Sequence, residues 1–253
     1  MDEMAVVLTS GGLDSTTLLA QCLDDGLVCV GMSFRYGSKH EAAEGRAAKA
    51  VCEYYSVPLY IIEVPPFPLQ GSGCALLGER ETPHGSYKEL GPAPTVVPFR
   101  NGVFLAMAVA FASAHGIKYV YGGMHSDDGI NWAYPDCRPE FLRPFADAAL
   151  AGTYGEVRCV FPFVFETKAD IVRRAKRLEA PLGLTWSCYD PQQTEPGFIA
   201  MPGSLRVHPV WKQCGECPTC IDRIAAFRAN GLIDPVPYAI AVSWEGCEPW
   251  PVK

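Results

Sequence analysis

VVLTSGGLDSTTLL, Val6 to Leu19, decides how the chain is read. An apolar, β-favouring run ends in Ser10-Gly11-Gly12, and a polar-capped helical pattern begins near Asp14. Such a run, bounded by glycine, predicts a buried parallel strand that feeds directly into a helix. Two glycines let the main chain come close to a bulky anion, and the helix N-terminus behind them favours negative charge. Ser10, Ser15 and Thr16 add hydroxyl donors. The stretch therefore predicts a phosphate cradle, without the lysine of the Walker pattern. A plain turn with a serine cap is the alternative.

The pattern continues outward. LVCVGMSF (Leu27 to Phe34) and PLYIIEV read as second and third strands, and Lys39 to Tyr55 as an amphipathic helix between them. Gly102 to His115 predicts an alanine-rich buried helix and KYVYGG a fourth strand. Further helices are expected at about Pro139 to Ala151, Lys168 to Leu178 and Cys220 to Asn230. Strands alternating with helices predict an α/β fold: an open, mainly parallel sheet with helices on both faces. Pro65 to Pro98, dense in Pro and Gly, reads as a long loop covering an active site. Residues 1–185 are expected to form the nucleotide-binding domain and 186–253 a metal-binding segment packed on it, with the tail from Gly231 folding back.

Composition narrows the function. The 253 residues are 49% hydrophobic and carry a net charge of -7. That size and apolar content support a full core. Acidic balance without a basic tract argues against a nucleic-acid surface. No apolar run is long enough for a membrane span, and the acidic N-terminus is unlike a signal peptide, so a cytoplasmic protein is expected.

In that compartment eleven cysteines are expected to stay reduced. CGECPTC places Cys214, Cys217 and Cys220 in a knuckle, and Cys188 in LTWSCY is the candidate fourth ligand. Four thiolates leave no open position, so a structural Zn²⁺ is expected, with an iron–sulfur cluster as the rival.

SGGLDST resembles the pyrophosphate-binding loop of the PP-loop ATP pyrophosphatases. SFRYGSKHEAAE, VVPFRNGVFLAMA, YPDCRPEF, ETKADIV and LTWSCY, in this order with the knuckle, resemble the QueC family of 7-cyano-7-deazaguanine synthases over about Ala5 to Phe227. The resemblance implies a PP-loop fold and an ATP-dependent ligase. Such an enzyme adenylates 7-carboxy-7-deazaguanine, admits ammonia to give the amide, and uses a second ATP to reach the nitrile. It implies nucleotide binding by Leu8, Thr9, Ser10, Gly11, Gly12, Leu13, Asp14, Ser15, Thr16, Thr17 and Leu18, with Mg²⁺ at Asp14. Lys39 and His40 are expected to cover the triphosphate. Lys168 and Arg100 are expected to act on the phosphates and the substrate carboxylate, joined by Asn101. Asp136 and Arg138 are expected to read the purine edge, and Gly122 and Gly123 to leave room for a flat ring.

A homodimer is implied, and the segment 190–213 is a possible site for a protein partner. Arg35 and Phe99 stand where the family usually has aspartate and glycine. They motivate an alternative in which a relative of these enzymes stops at the amide or joins the base to another nucleophile, such as a protein amine. A tRNA thiolase and a non-catalytic nucleotide-binding subunit are further alternatives.

Overall fold

The computed structural model describes residues 3–65, 73–90, 94–129, 134–193, 197–201, 204–208 and 211–251, with backbone only at 88, 128–129, 197–201 and 204–208. Strand β1 (Met4–Leu8) leads through α1 (Leu13–Asp24) to β2 (Val28–Arg35), and α2 (Glu41–Tyr54) leads to β3 (Leu59–Glu63). After the short α3 (Tyr87–Leu90), α4 (Arg100–Ala114) precedes β4 (Tyr119–Tyr121). One turn of helix, α5 (Ser126–Gly129), comes before α6 (Pro139–Gly152), β5 (Arg158–Val160) and α7 (Lys168–Arg177).

These five strands form one parallel sheet in the order β3-β2-β1-β4-β5. The chain winds outward from β1 in one direction, then returns to start again on its other side with β4. In such sheets the crevice opens at the carboxyl ends of the two strands where the order reverses, here β1 and β4. Both faces of β1 are covered. Val7 packs with Leu18, Ile171 and Phe227 of one core, and Val6 with Leu105 and Leu142 of the other. Ala5, Val6 and Val7 are completely buried, which is why this strand reads as an unbroken apolar run.

Two expectations are corrected. The fifth strand, Arg158–Val160, is absent from the sequence reading because three residues are too short to show a period. The segment 190–213, to which the sequence reading assigns no strand, contains a hairpin: β6 (Gln192–Gln193) pairs with β9 (Trp211–Lys212), and β7 (Gly197–Met201) with β8 (Ser204–His208), both antiparallel. Residues 194–196, 202–203 and 209–210 of that segment lie outside the described residues.

In the proline-rich stretch from Pro65 to Pro98, residues 66–72 and 91–93 are likewise outside. The remainder is anchored where Cys74, Leu76 and Val97 bury against Tyr36 and Val64. Helix α8 (Pro218–Ala229) starts at a proline, two residues before the expected cysteine. Beyond it β10 (Leu232–Ile233) pairs with β11 (Glu248–Pro249), and Trp250 meets the Phe227 ring edge-on at 5.5 Å. Among the described residues no helix is long and apolar enough to cross a membrane.

Candidate active site and cysteine cluster

The bend after β1 is built around two different glycines. Gly11 has φ +79°, and a Cβ there would come within 2.2 Å of the Ala48 amide nitrogen on α2. Only glycine permits both that backbone conformation and that approach. Gly12 is the N-cap of α1 and donates its N–H to Ser10 Oγ at 3.2 Å. Ser10 and Ser15 hydroxyls lie 3.1 Å apart. The amides of Leu13, Asp14 and Ser15, in the first turn, have no carbonyl partner within the helix.

Lys168 faces this turn from α7. Thr167 caps that helix through a reciprocal pair with Asp170, and Asp127 accepts the Lys168 backbone N–H at 2.7 Å. These contacts offset the poor placement of a cation at a helix N-terminus. The Lys168 ammonium lies 3.5 Å from Asp14 Oδ2, and His125, only 2% exposed, lies 3.6 Å from the same oxygen. Burial would raise the Asp14 carboxyl, but Lys168 and His125 outweigh it and hold the group well below the usual carboxylate range. Asp14 Oδ1 is buried and has no hydrogen-bond partner among the described residues.

Arg100 enters the same cavity from the first residue of α4. Its guanidinium donates to Tyr36 Oη at 3.3 Å and lies over that ring. Burial works against its charge, but the surrounding tyrosine oxygens more than compensate. A hydroxyl network joins Tyr87 to Tyr134 at 2.8 Å, Thr95 to Tyr134 at 2.9 Å and Tyr134 to Tyr189 at 3.3 Å. Burial raises all four tyrosines, Tyr36, Tyr87, Tyr134 and Tyr189, so they stay neutral hydrogen-bonding groups. The rings of Phe34 and Phe104 stack at 4.1 Å along one wall.

The cavity is lined by Leu8, Thr9, Ser10, Gly12, Asp14, Ser15, Arg100, Asn101, Gly123 and Lys168 among the residues singled out in the sequence. The others are elsewhere. Leu13 and Leu18 point into the core, Thr17 bonds the Leu13 carbonyl at 2.8 Å, and Thr16 is fully buried. Lys39 donates to the Arg80 carbonyl outside the cavity. His40 is buried between Glu44, 3.5 Å away, and the Tyr189 ring. Burial and then Arg100 push its imidazole down to about 3, so it carries no charge for a triphosphate.

Asp136 accepts the Asn101 backbone N–H at 2.8 Å and thus caps α4. Arg138 is the N-cap residue of α6 and reaches Glu140 at 3.6 Å, and Gly122 packs on Met124 and Phe161. Of the two departures, Arg35 pairs with Glu63 at 3.4 Å on the edge strand, and Phe99 is 60% exposed against Phe141. Neither lines the cavity. Phe99 also has φ +57°, the left-handed conformation that favours glycine.

The sequence reading missed His125, Glu44 and the four tyrosines. Glu44 was visible in KHEAAE, one helical turn after His40. Burial raises its carboxyl to about 7, Arg100 opposing and Glu41 adding to the effect. Tyr36, Tyr134 and Tyr189 stand within SFRYGSKHEAAE, YPDCRPEF and LTWSCY, but no local pattern shows that tyrosines from four separate segments meet.

The sulfurs of Cys188, Cys214, Cys217 and Cys220 all lie within 4.8 Å of one another, buried beneath Trp186. Backbone N–H groups already point at them. Asp190 and Cys214 donate to Cys188 Sγ at 3.3 and 3.1 Å, and Glu216 and Cys217 to Cys214 Sγ at 3.4 and 3.2 Å. Amides that surround sulfur in this way favour thiolates, the form that binds a metal. Gly215 makes the turn at φ +87°, against Ile240. The Trp186 backbone N–H donates to the Gly11 carbonyl at 2.9 Å, so the stretch of chain that enters the cluster also holds the Ser10–Gly12 bend.

The model of the family "Queuosine biosynthesis protein QueC" matches residues 4–231. A 7-cyano-7-deazaguanine synthase of Desulfotalea psychrophila is 37% identical over 93% of this chain and 99% of its own. Those of Caldicellulosiruptor bescii and Hahella chejuensis are 35% and 33% identical, over 95% and 92% of this chain and 99% and 92% of theirs.

Proposed function

The chain belongs to the QueC family, and on that premise we propose the steps by which its residues make 7-cyano-7-deazaguanine from 7-carboxy-7-deazaguanine, ammonia and ATP. It is an ATP-dependent ligase of that family. Pyrophosphate sits in the Ser10–Gly12 bend, held by the first amides of α1 and by the hydroxyls of Ser10 and Ser15. Lys168 neutralises the charge that grows on the departing pyrophosphate, where a fixed cation is worth most. Arg100 holds the substrate carboxylate in line with the α-phosphate. The flat ring lies along the apolar wall with Gly123 beneath it. The carboxylate oxygen attacks the α-phosphate, pyrophosphate leaves, and ammonia displaces AMP to give the amide. A second ATP activates the amide oxygen, and loss of AMP leaves the nitrile.

The observation that carries this reading is the convergence of the cradle, Lys168 and Arg100 on one cavity at the switch point between β1 and β4. Asp14, with one buried oxygen lacking a hydrogen-bond partner, suits a Mg²⁺ accompanying ATP, which would screen phosphate charge. The cysteine cluster suits Zn²⁺. Zinc–sulfur bonds of about 2.3 Å place tetrahedral thiolates ~3.8 Å apart. The Cys214–Cys220 and Cys188–Cys217 separations are 3.9 and 4.0 Å, which fits one ion better than a multi-iron cluster. The ion would tie Cys188, and through Trp186 the cradle, to α8.

The test is to incubate the protein with ATP, Mg²⁺, ammonium and 7-carboxy-7-deazaguanine and to follow AMP and the base by mass spectrometry. Two AMP per nitrile are expected, with one zinc and no iron per chain by elemental analysis. Amide as the final product, or no AMP at all, counts against the reading.

A further inference from the structure

The reaction proposed above has a proton problem. Ammonia exists mainly as ammonium near neutrality, and ammonium has no lone pair with which to attack the acyl adenylate. Making the nitrile then requires both nitrogen-bound protons of the amide to leave. A proton acceptor is needed beside the reacting carbon, on the Arg100 side of the cavity.

Most titratable groups that line the cavity are unsuited. Lys168 and Arg100 are cations. The four tyrosines are held neutral by burial. Asp14 is committed to Lys168 and His125 at the phosphate end, and its depressed basicity makes it a poor acceptor. Asp222 belongs to the cysteine side, two residues beyond Cys220 on α8. Glu44 remains. It projects from the first turn of α2 into the cavity with its side chain 24% exposed. Arg100 of α4 and Tyr36 at the end of β2 face it, as do His40 and Glu41 from its own helix. Among these Arg100 is the cation, and His40 stays neutral. Burial brings the Glu44 carboxyl to about 7, where a group accepts and returns protons with equal ease.

The geometry points to Glu44 as the catalytic residue that takes the proton from incoming ammonium and later from the activated amide. This inference rests on the function proposed above. In the first half, the Glu44 carboxylate takes one proton from ammonium, and the freed lone pair forms the carbon–nitrogen bond. The carbon–oxygen bond to AMP breaks with its electron pair going to the phosphate, and the excess proton on nitrogen passes to solvent. In the second half, the amide oxygen departs on AMP with the carbon–oxygen pair. Electron pairs from the nitrogen complete the triple bond, and its two protons leave in turn through Glu44 to solvent.

Glu44→Gln keeps the shape and removes the base. With ammonium, its AMP release should fall by about 10²–10⁴-fold, the usual scale of general-base catalysis. The rise in wild-type rate with an apparent pKa near 7 should disappear. ATP–pyrophosphate exchange driven by the carboxylate should persist, because adenylation needs no proton acceptor. Hydroxylamine, neutral at pH 7, should react with far less loss, and Glu44→Asp should recover part of the ammonium rate. An E44Q enzyme with wild-type rate and pH profile for ammonium, or with equal losses for both nucleophiles, overturns the role. A wild-type enzyme that releases no AMP with the carboxylate overturns the function proposed above, and this role with it.

Discussion

Lys168 Nζ and Asp14 Oδ2 lie 3.5 Å apart, so the first residue of α7 and the second of α1 meet across the phosphate cradle. The contact joins two elements 154 residues apart in sequence and aims the lysine at the amides proposed to hold pyrophosphate.

Lys168→Ala should therefore reduce kcat/KM by about 10²–10³-fold, the scale of removing one preorganised charge-stabilising group. Steady-state AMP release measures it. A reduction smaller than tenfold would remove Lys168 from the reaction.

Gly11→Ala should destabilise the fold by roughly 3 kcal/mol, combining left-handed backbone strain with overpacking against α2. The steric basis is the 2.2 Å approach of a Cβ to the Ala48 nitrogen at φ +79°. Urea unfolding reads the change. Wild-type stability would mean that α2 moves away freely.

Arg223 and Asp234 are both completely buried and joined by two bonds of 2.6 and 2.9 Å. Arg223 also donates to Thr185 Oγ1 at 2.8 Å and Ser187 Oγ at 3.1 Å, which fixes the chain entering Cys188. Arg223→Met leaves the Asp234 charge buried, at a cost of about 3–5 kcal/mol. The double variant R223M/D234L should lose less, and denaturant unfolding of both separates the two effects. Equal losses would show that the pair itself is not what matters.

Glu44 should make stability fall as pH rises. The folded protein keeps this proton up to about pH 7, against an ordinary value of 4.5 in the unfolded chain. Between these values the folded state binds more protons, so its advantage is complete below the lower value and lost through the upper one. Glu44→Gln, which cannot ionise, should gain roughly 3 kcal/mol relative to wild type from pH 4 to pH 8. Urea unfolding at both pH values tests this, and a pH-independent difference would contradict it.

The order of strands and helices, the cradle and the cysteine set were legible in the sequence because each is local. Val6 to Leu19 carries strand, turn and helix signals within fourteen consecutive residues, and three of the four clustered cysteines fall within seven. Lys168 and Arg100 were named through the strings ETKADIV and VVPFRNGVFLAMA, and the fold brings both to one cavity. Asp136 misled for the opposite reason: a carboxylate in a distinctive string looks like a ligand contact, and only packing reveals that it caps α4. Thr17 and Leu18 share the motif of the cradle, yet the 3.6-residue turn of α1 rotates them into the core.

Tertiary structure alone decided the rest of the wall. Tyr36, Tyr87, Tyr134 and Tyr189 meet at Arg100 only after the sheet order reverses at β1, and His125 reaches Asp14 only because β4 lies beside that strand. Glu44 shows the division most plainly. Sequence sets its place on α2, one turn from His40, whereas its proton affinity comes from burial, against the opposing charge of Arg100, a residue 56 positions away. Dielectric and distance are properties of the folded neighbourhood, which no short stretch of residues contains.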